Sequence, residues 1–363
     1  MPILFFVAGL ALMVVGAELL VRGSSRLATM LGISPLVVGL TVVAFGTSAP
    51  EFAVSSKAAL SGQADICVGN VVGSNIFNIL FILGLSSIVA PLIVSRQLIR
   101  FDLPLVIGVS IVTLLIGLDG SFGRVDGIVL FSSLLIYTIG LIYVSRKRGR
   151  TEAGDGAKES LNESNDKPFG IRVLSNTIFV LIGLGMLVLG ANWLVDTAVQ
   201  FARWLDVSEL VIGLTIIAIG TSLPEVVTSL VATLKGERDI AVGNVVGSNL
   251  FNILGVLGMA SMIAPSGLPL TSQTVQFDLP VMIAVAMVAL PIFFTGGKIS
   301  RGEGFLLLAF YIAYTLFLIL DANDDPRSES LGNAIVFVAV PITATVLLVQ
   351  CVRWNKVRTT LDA

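Results

Sequence analysis

Gly46-Thr47-Ser48-Ala49-Pro50-Glu51 lies in the middle of an apolar stretch, and 174 residues later Gly220-Thr221-Ser222-Leu223-Pro224-Glu225 does the same. Proline removes a backbone N–H and displaces the carbonyl four residues earlier. Glycine lowers the cost of bending. Each hexapeptide therefore breaks a helix inside a segment otherwise suited to lipid. Broken backbone at that depth is tolerated only where it lines a cavity or is covered by protein.

Working outward, the similarity extends without a gap from 34–80 to 208–254, with about 30 of the 47 positions identical. Gly69-Asn70-Val71-Val72-Gly73-Ser74-Asn75-Ile76-Phe77-Asn78 recurs as Gly243-Asn244-Val245-Val246-Gly247-Ser248-Asn249-Leu250-Phe251-Asn252. Gly16-Ala17-Glu18 falls on Gly190-Ala191-Asn192, and Phe101-Asp102-Leu103-Pro104 on Phe277-Asp278-Leu279-Pro280. The chain is a duplication.

The surroundings are those of a membrane protein. Of the 363 residues, 55% are hydrophobic and 13% charged, and mean hydropathy is +0.96. Soluble domains carry roughly 25% charge. Spans are expected at 3–22, 34–60, 66–90, 101–118, 125–145, 173–195, 208–234, 240–264, 277–295, 303–320 and 332–352. The stretch from Pro2 to Val21 reads as a first helix and not a signal peptide. With the N-terminus outside, 18 of the 22 Lys+Arg fall in inside loops, which predicts N-out, C-in. Each copy holds five helices, an odd number, so the copies lie in opposite orientation. That is the inverted-repeat architecture of secondary transporters, with the site between the halves.

The expected organisation is an all-α polytopic membrane protein. Its parts are a first repeat at 1–145, a flexible cytoplasmic linker at 146–172, a second repeat at 173–320, and an extra transmembrane helix with a cytoplasmic tail at 321–363. Net charge is −2, which implies no nucleic-acid partner. The absence of histidine excludes Ser-His-Asp hydrolysis and histidine–zinc chemistry. Ser48 and Ser222 have no basic partner, so an intramembrane hydrolase is rejected and no enzyme is expected. Cys67 and Cys351 form no metal motif and are expected as free thiols.

Glu51 and Glu225 carry the functional argument. An intramembrane carboxylate marks an ion or proton pathway, and no Lys or Arg lies in the centre of any span to pair with them. Thr47 and Ser48 share a helical face with Glu51, as do Thr221 and Ser222 with Glu225. Ser74 and Asn78, and Ser248 and Asn252, are each one turn apart. Two carboxylates among hydroxyl, amide and carbonyl oxygens suit calcium, which takes 6–8 oxygens at about 2.3–2.6 Å. Sodium could share those oxygens. Asn75 and Asn249 are expected elsewhere on their helices as interhelical hydrogen bonders. Glu18 and Arg22 read as an interfacial pair, and Asp102 and Asp278 as stabilisers of helix N-termini.

The paired motifs resemble the α-repeats of the calcium/cation antiporter superfamily, in its sodium/calcium exchanger branch of bacterial type, over roughly residues 1–320. The resemblance implies ten helices in two inverted halves, with Glu51 and Glu225 as the calcium carboxylates. It places Thr47, Ser48, Ser74, Asn78, Thr221, Ser222, Ser248 and Asn252 around calcium and flanking sodium sites, with carbonyls near Ala44 and Ala218. It further implies alternating access in which the first and sixth helices slide across the rest. Asn252 stands where many members of this branch carry aspartate. The functional expectation is calcium/sodium antiport across the inner membrane by a monomer with no cofactor. Proton/calcium antiport on the same glutamates is the alternative, and a passive cation channel ranks below both.

Overall fold

The computed structural model describes residues 2–152, 168–204, 218–294, 296–321, 323 and 325–334. Its helices are α1 (Pro2–Leu31), α2 (Pro35–Thr47), α3 (Ala49–Leu60), α4 (Ala64–Val89), α5 (Leu98–Asp119), α6 (Arg124–Lys147), α7 (Phe169–Trp204), α8 (Ala218–Thr221), α9 (Leu223–Leu234), α10 (Arg238–Ile263), α11 (Thr274–Phe294), α12 (Arg301–Asp321) and α13 (Arg327–Ala334). Eight of these are long and apolar enough to cross a membrane, and the bent pair α2–α3 makes a ninth among the described residues. The first part of the expected seventh span, at 208–217, lies outside the described residues, as does nearly all of 332–352. Three helices overrun expectation. The first, α1, runs to Leu31, past the expected end at 22. The helix of α6 continues to Glu152, into the expected linker, and α7 runs from Phe169 to Trp204. Charged and polar residues continue a helix readily once its apolar part is packed, so hydropathy alone misplaces such ends.

The halves are inverted, and α1 against α7 shows it directly. A Cβ added at Gly9 would meet the Gly190 carbonyl at 2.9 Å, and one at Gly16 would meet the Gly183 carbonyl at 2.8 Å; Gly23 approaches Asn176 in the same way. The partners descend in number as α1 ascends, so the two matching helices run antiparallel. Glycines spaced by seven let the backbones touch, the small-residue packing of membrane helices.

Four two-residue strands repeat this symmetry. β1 (Leu92–Ile93) pairs with β4 (Lys298–Ile299), and β2 (Ser121–Phe122) pairs with β3 (Leu268–Pro269), both antiparallel. β1 and β3 occupy matching places in the two copies, as do β2 and β4. Each ladder therefore joins one half to the other.

α10 is buried without interruption over 240–258, and α4 is largely buried. These two helices carry the Gly-Ser-Asn motifs. α6 and α12 turn most of their apolar surface outward, including Ile128, Ile136, Ile139, Phe305 and Ile312, as helices facing lipid do.

Asp102 and Asp278 are not at helix starts. Ser95 accepts from the Leu98 N–H at 3.3 Å, and Thr271 from the Thr274 N–H at 3.2 Å. These residues at matching positions are the caps, so α5 and α11 begin before the aspartates. Asp102 is fully buried and accepts from the Tyr137 hydroxyl at 3.0 Å and from Gln97 Nε2 at 3.2 Å. It ties α5 to α6. The Glu18–Arg22 pair is present, and Lys235 of the other half joins it at 2.9 Å. Cys67 is a buried free thiol, and Cys351 lies outside the described residues.

Candidate functional site

Both breaks fall where the sequence puts them. α2 and α3 meet at Ser48 with a bend of 48°. Ser48 has φ −81°, ψ 9°, and its counterpart Ser222, between α8 and α9, has φ −89°, ψ 5°. Proline occupies the second position of each following helix, where its missing N–H leaves no bond unmade. Glutamate then falls in the first turn of each, Glu51 in α3 and Glu225 in α9. The unpaired N–H groups and the helix dipole there favour a negative charge. This placement gives each carboxylate electrostatic support that the helical spacing of the motif does not reveal.

A serine at such a boundary ordinarily caps its own helix. Here neither does. Ser48 Oγ donates to Glu225 Oε1 at 2.8 Å, and Ser222 Oγ donates to Glu51 Oε1 at 2.7 Å. Each break thus reaches the glutamate of the opposite half. Ser222 Oγ also lies 3.3 Å from Ser74 Oγ. Thr47 and Ser248 face Glu225, and Thr221 faces Glu51. Five of the ten sequence-selected residues, Glu51, Glu225, Ser48, Ser74 and Ser222, are thus joined by hydrogen bonds in two matching sets across the halves, with Thr47, Thr221 and Ser248 beside the glutamates.

Glu51 and Glu225 are 1% and 0% exposed. Neither forms an ion pair among the described residues, and no third acidic side chain completes a cluster with them there. Their Oε2 atoms have no hydrogen-bond partner among the described residues. Asn78 and Asn252, the remaining two, are buried one turn beyond Ser74 and Ser248. Their Oδ1 atoms also lack partners. Unpaired buried acceptors are rare because each one loses its hydration. With Ser248 Oγ, which also lacks a partner, five such oxygens lie in one region, two of them from carboxylates, and they form a donor set of hard oxygens suited to calcium or sodium as transported substrate. Ala44 O accepts from the Ser48 N–H at 3.0 Å and from Thr47 Oγ1 at 3.4 Å. Ala218 opens α8.

Asn249 is not remote from the site, as its helical position suggests. Its Oδ1 accepts from Asn78 Nδ2 at 3.0 Å, and its Nδ2 donates to the Asn75 carbonyl at 3.3 Å. It is an interhelical bridge that holds Asn78. From Asn78 onward, and just past Asn249, α4 and α10 widen to π geometry, over Asn78–Ile82 and Phe251–Leu257. Such bulges recur at functional positions.

Residues 1–143 and 175–320 match the family described as sodium/calcium exchanger protein. The chain belongs to the sodium/calcium exchanger family. The family is one of membrane transporters and not of enzymes, and membership makes this chain an antiporter of exchanger type. Sodium/calcium exchanger MaX1 of Methanosarcina acetivorans is 30% identical over 348 residues, covering 87% of this chain and 97% of that protein. Inner membrane protein YrbG of Escherichia coli is 38% identical over 314 residues, covering 86% of this chain and 95% of its own length. A solved structure of the sodium-calcium exchanger NCX_Mj superposes with a TM-score of 0.72 at 34% identity, covering 86% of this chain and 96% of that one.

Proposed function

We propose that this exchanger-family chain moves calcium against sodium by alternating access, with Glu51 and Glu225 sharing the divalent ion. The supporting observation is the crossed pair of contacts, Ser48 to Glu225 and Ser222 to Glu51. Each carboxylate is buried and held by a serine of the opposite half, and among the described residues neither is paired to a Lys or Arg. The ion's charge balances both. Thr47, Ser48, Ser74, Asn78, Thr221, Ser222, Ser248 and Asn252 supply the remaining oxygens for calcium and for sodium in turn.

Calcium and the sodium that displaces it cannot both hold two carboxylates, and that competition is the coupling. Relief of the competition needs the hollow to open to one side at a time. The tight α1–α7 pair is the element suited to slide across the rest. The reading includes a monomer in the inner membrane with the N-terminus outside and the C-terminus inside. Its halves lie at 1–145 and 173–320, joined through 146–172 and followed by a further helix and tail at 321–363.

A second reading is favoured by Asn252. An amide there leaves the site two carboxylates, few enough that two protons could replace one calcium. Everted vesicles separate the two readings. Calcium uptake driven by an outward sodium gradient and insensitive to a protonophore supports sodium coupling. Uptake driven by a pH gradient without sodium rules it out. Single-channel conductance would overturn antiport altogether.

A further inference from the structure

The repeated Gly-Asn that opens each second motif has no place in the ion site described above, yet its asparagines make a matched pair of contacts. Asn244 Oδ1 accepts from Thr47 Oγ1 at 3.0 Å, and its Nδ2 donates to Ser229 Oγ at 3.0 Å. Asn70 Oδ1 accepts from Thr221 Oγ1 at 3.4 Å. Its Nδ2 donates to Ser55 Oγ at 2.9 Å and to the Glu51 carbonyl at 3.3 Å. Ser55 and Ser229 lie one turn beyond Glu51 and Glu225. Each asparagine is therefore anchored to the glutamate helix of its own half and holds the threonine of the opposite half.

The consequence concerns hydroxyl protons. A threonine has one O–H to donate and two lone pairs. Thr47 faces both Asn244 Oδ1 and Glu225, and Thr221 faces both Asn70 Oδ1 and Glu51. A hydroxyl that donates to the glutamate competes with a cation for that oxygen. A hydroxyl that donates to the asparagine turns its lone pairs toward the cation.

We propose that Asn244 and Asn70 are positioning residues: each draws the hydroxyl hydrogen of Thr47 or Thr221 off the neighbouring glutamate, so that the threonine oxygen becomes a cation ligand. Only a hydrogen bond changes partner; no bond is made or broken. The inference rests on the glutamate cluster being the cation site.

The test is calcium binding, with calcium alone as the probe, by titration calorimetry on the purified full-length chain. Asn244→Ala and Thr47→Val are each expected to weaken binding about five- to tenfold, the effect of one buried hydrogen bond. Because they act through one contact, the double variant should be no weaker than Thr47→Val alone, whereas Asn244→Ala with Thr221→Val should multiply. Asn70→Ala should show the reverse pattern, coupled to Thr221 and independent of Thr47. A general packing role for the asparagines would couple each equally to both threonines, and that outcome overturns the proposal. Independent effects in every pair overturn it too. If Asn244→Ala does not fold, the Asn70 arm carries the same crossed comparison. Glu225→Gln serves as reference. Unchanged calcium binding in that variant would refute the site itself. Lost binding there together with uncoupled asparagine–threonine pairs would refute only the positioning role.

Discussion

Replacing Glu225 with glutamine removes one charge and almost nothing else. The amide keeps the side chain's shape, and Ser48 Oγ, now 2.8 Å from Glu225 Oε1, can still donate to the glutamine oxygen. The fold should stand. Ion binding should not, and the size of the loss follows from burial. At a metal–oxygen distance of about 2.4 Å and an effective dielectric constant of about 20, one carboxylate attracts a divalent ion by about 14 kcal/mol and a monovalent ion by about 7. Desolvation cancels most of this. Removing one member of a buried charge pair leaves a net loss of about 3–5 kcal/mol, or roughly 150- to 5,000-fold in calcium affinity. Halving the ion's charge halves the term, so sodium should weaken by only about 10- to 70-fold. Calorimetric titration of each ion into the purified protein, with thermal unfolding as the fold control, measures both numbers. A calcium shift below about tenfold, or equal weakening of the two ions, would refute the placement of Glu225 in a shared divalent site. Glu51→Gln should behave alike, because its carboxylate is as buried and is held by the matching serine.

Three other outcomes follow from the same geometry. Asn252→Asp adds a third carboxylate and is expected to steepen the sodium dependence of calcium uptake in proteoliposomes; an unchanged sodium response would mean that Asn252 lies off the sodium path. Gly16→Leu forces a side chain into the Gly183 carbonyl, 2.8 Å from where its Cβ would sit. Overpacking of that kind costs about 1–3 kcal/mol, to be read as a lower unfolding temperature in detergent with loss of flux, and normal stability would argue against the α1–α7 contact. Tyr137→Phe leaves Asp102 Oδ1 without its 3.0 Å donor and should destabilise the protein by about 1–3 kcal/mol; an unaltered unfolding temperature would show that the α5–α6 tie contributes nothing.

Much of this protein is legible in one dimension because membrane helices obey short-range rules. Apolar runs of about 20 residues mark the spans. Proline after glycine marks the breaks, and a glutamate without a nearby cation marks the candidate site. The odd number of helices per copy requires inversion with no structural input. Every residue chosen for the ion site is buried between the halves except Thr221, which is half-buried.

What the linear pattern could not supply are relations between residues far apart in the chain. Helical spacing puts Ser48 beside Glu51, yet its hydroxyl serves Glu225, 177 positions away. The same spacing sends Asn249 off the site, but the inverted packing of α4 against α10 returns it to Asn78. Asp102, followed by Leu103 and Pro104, looks like a helix start, while the actual cap is Ser95, seven residues earlier. Asn70 and Asn244 stand in plain view in both motifs, and only the crossed fold gives them threonines to hold. Periodicity along one helix determines which residues share a face. The partner that face meets is settled by the pseudo-two-fold that docks one half into the other, and the donor–acceptor pairs that bridge the halves exist only once that docking has occurred.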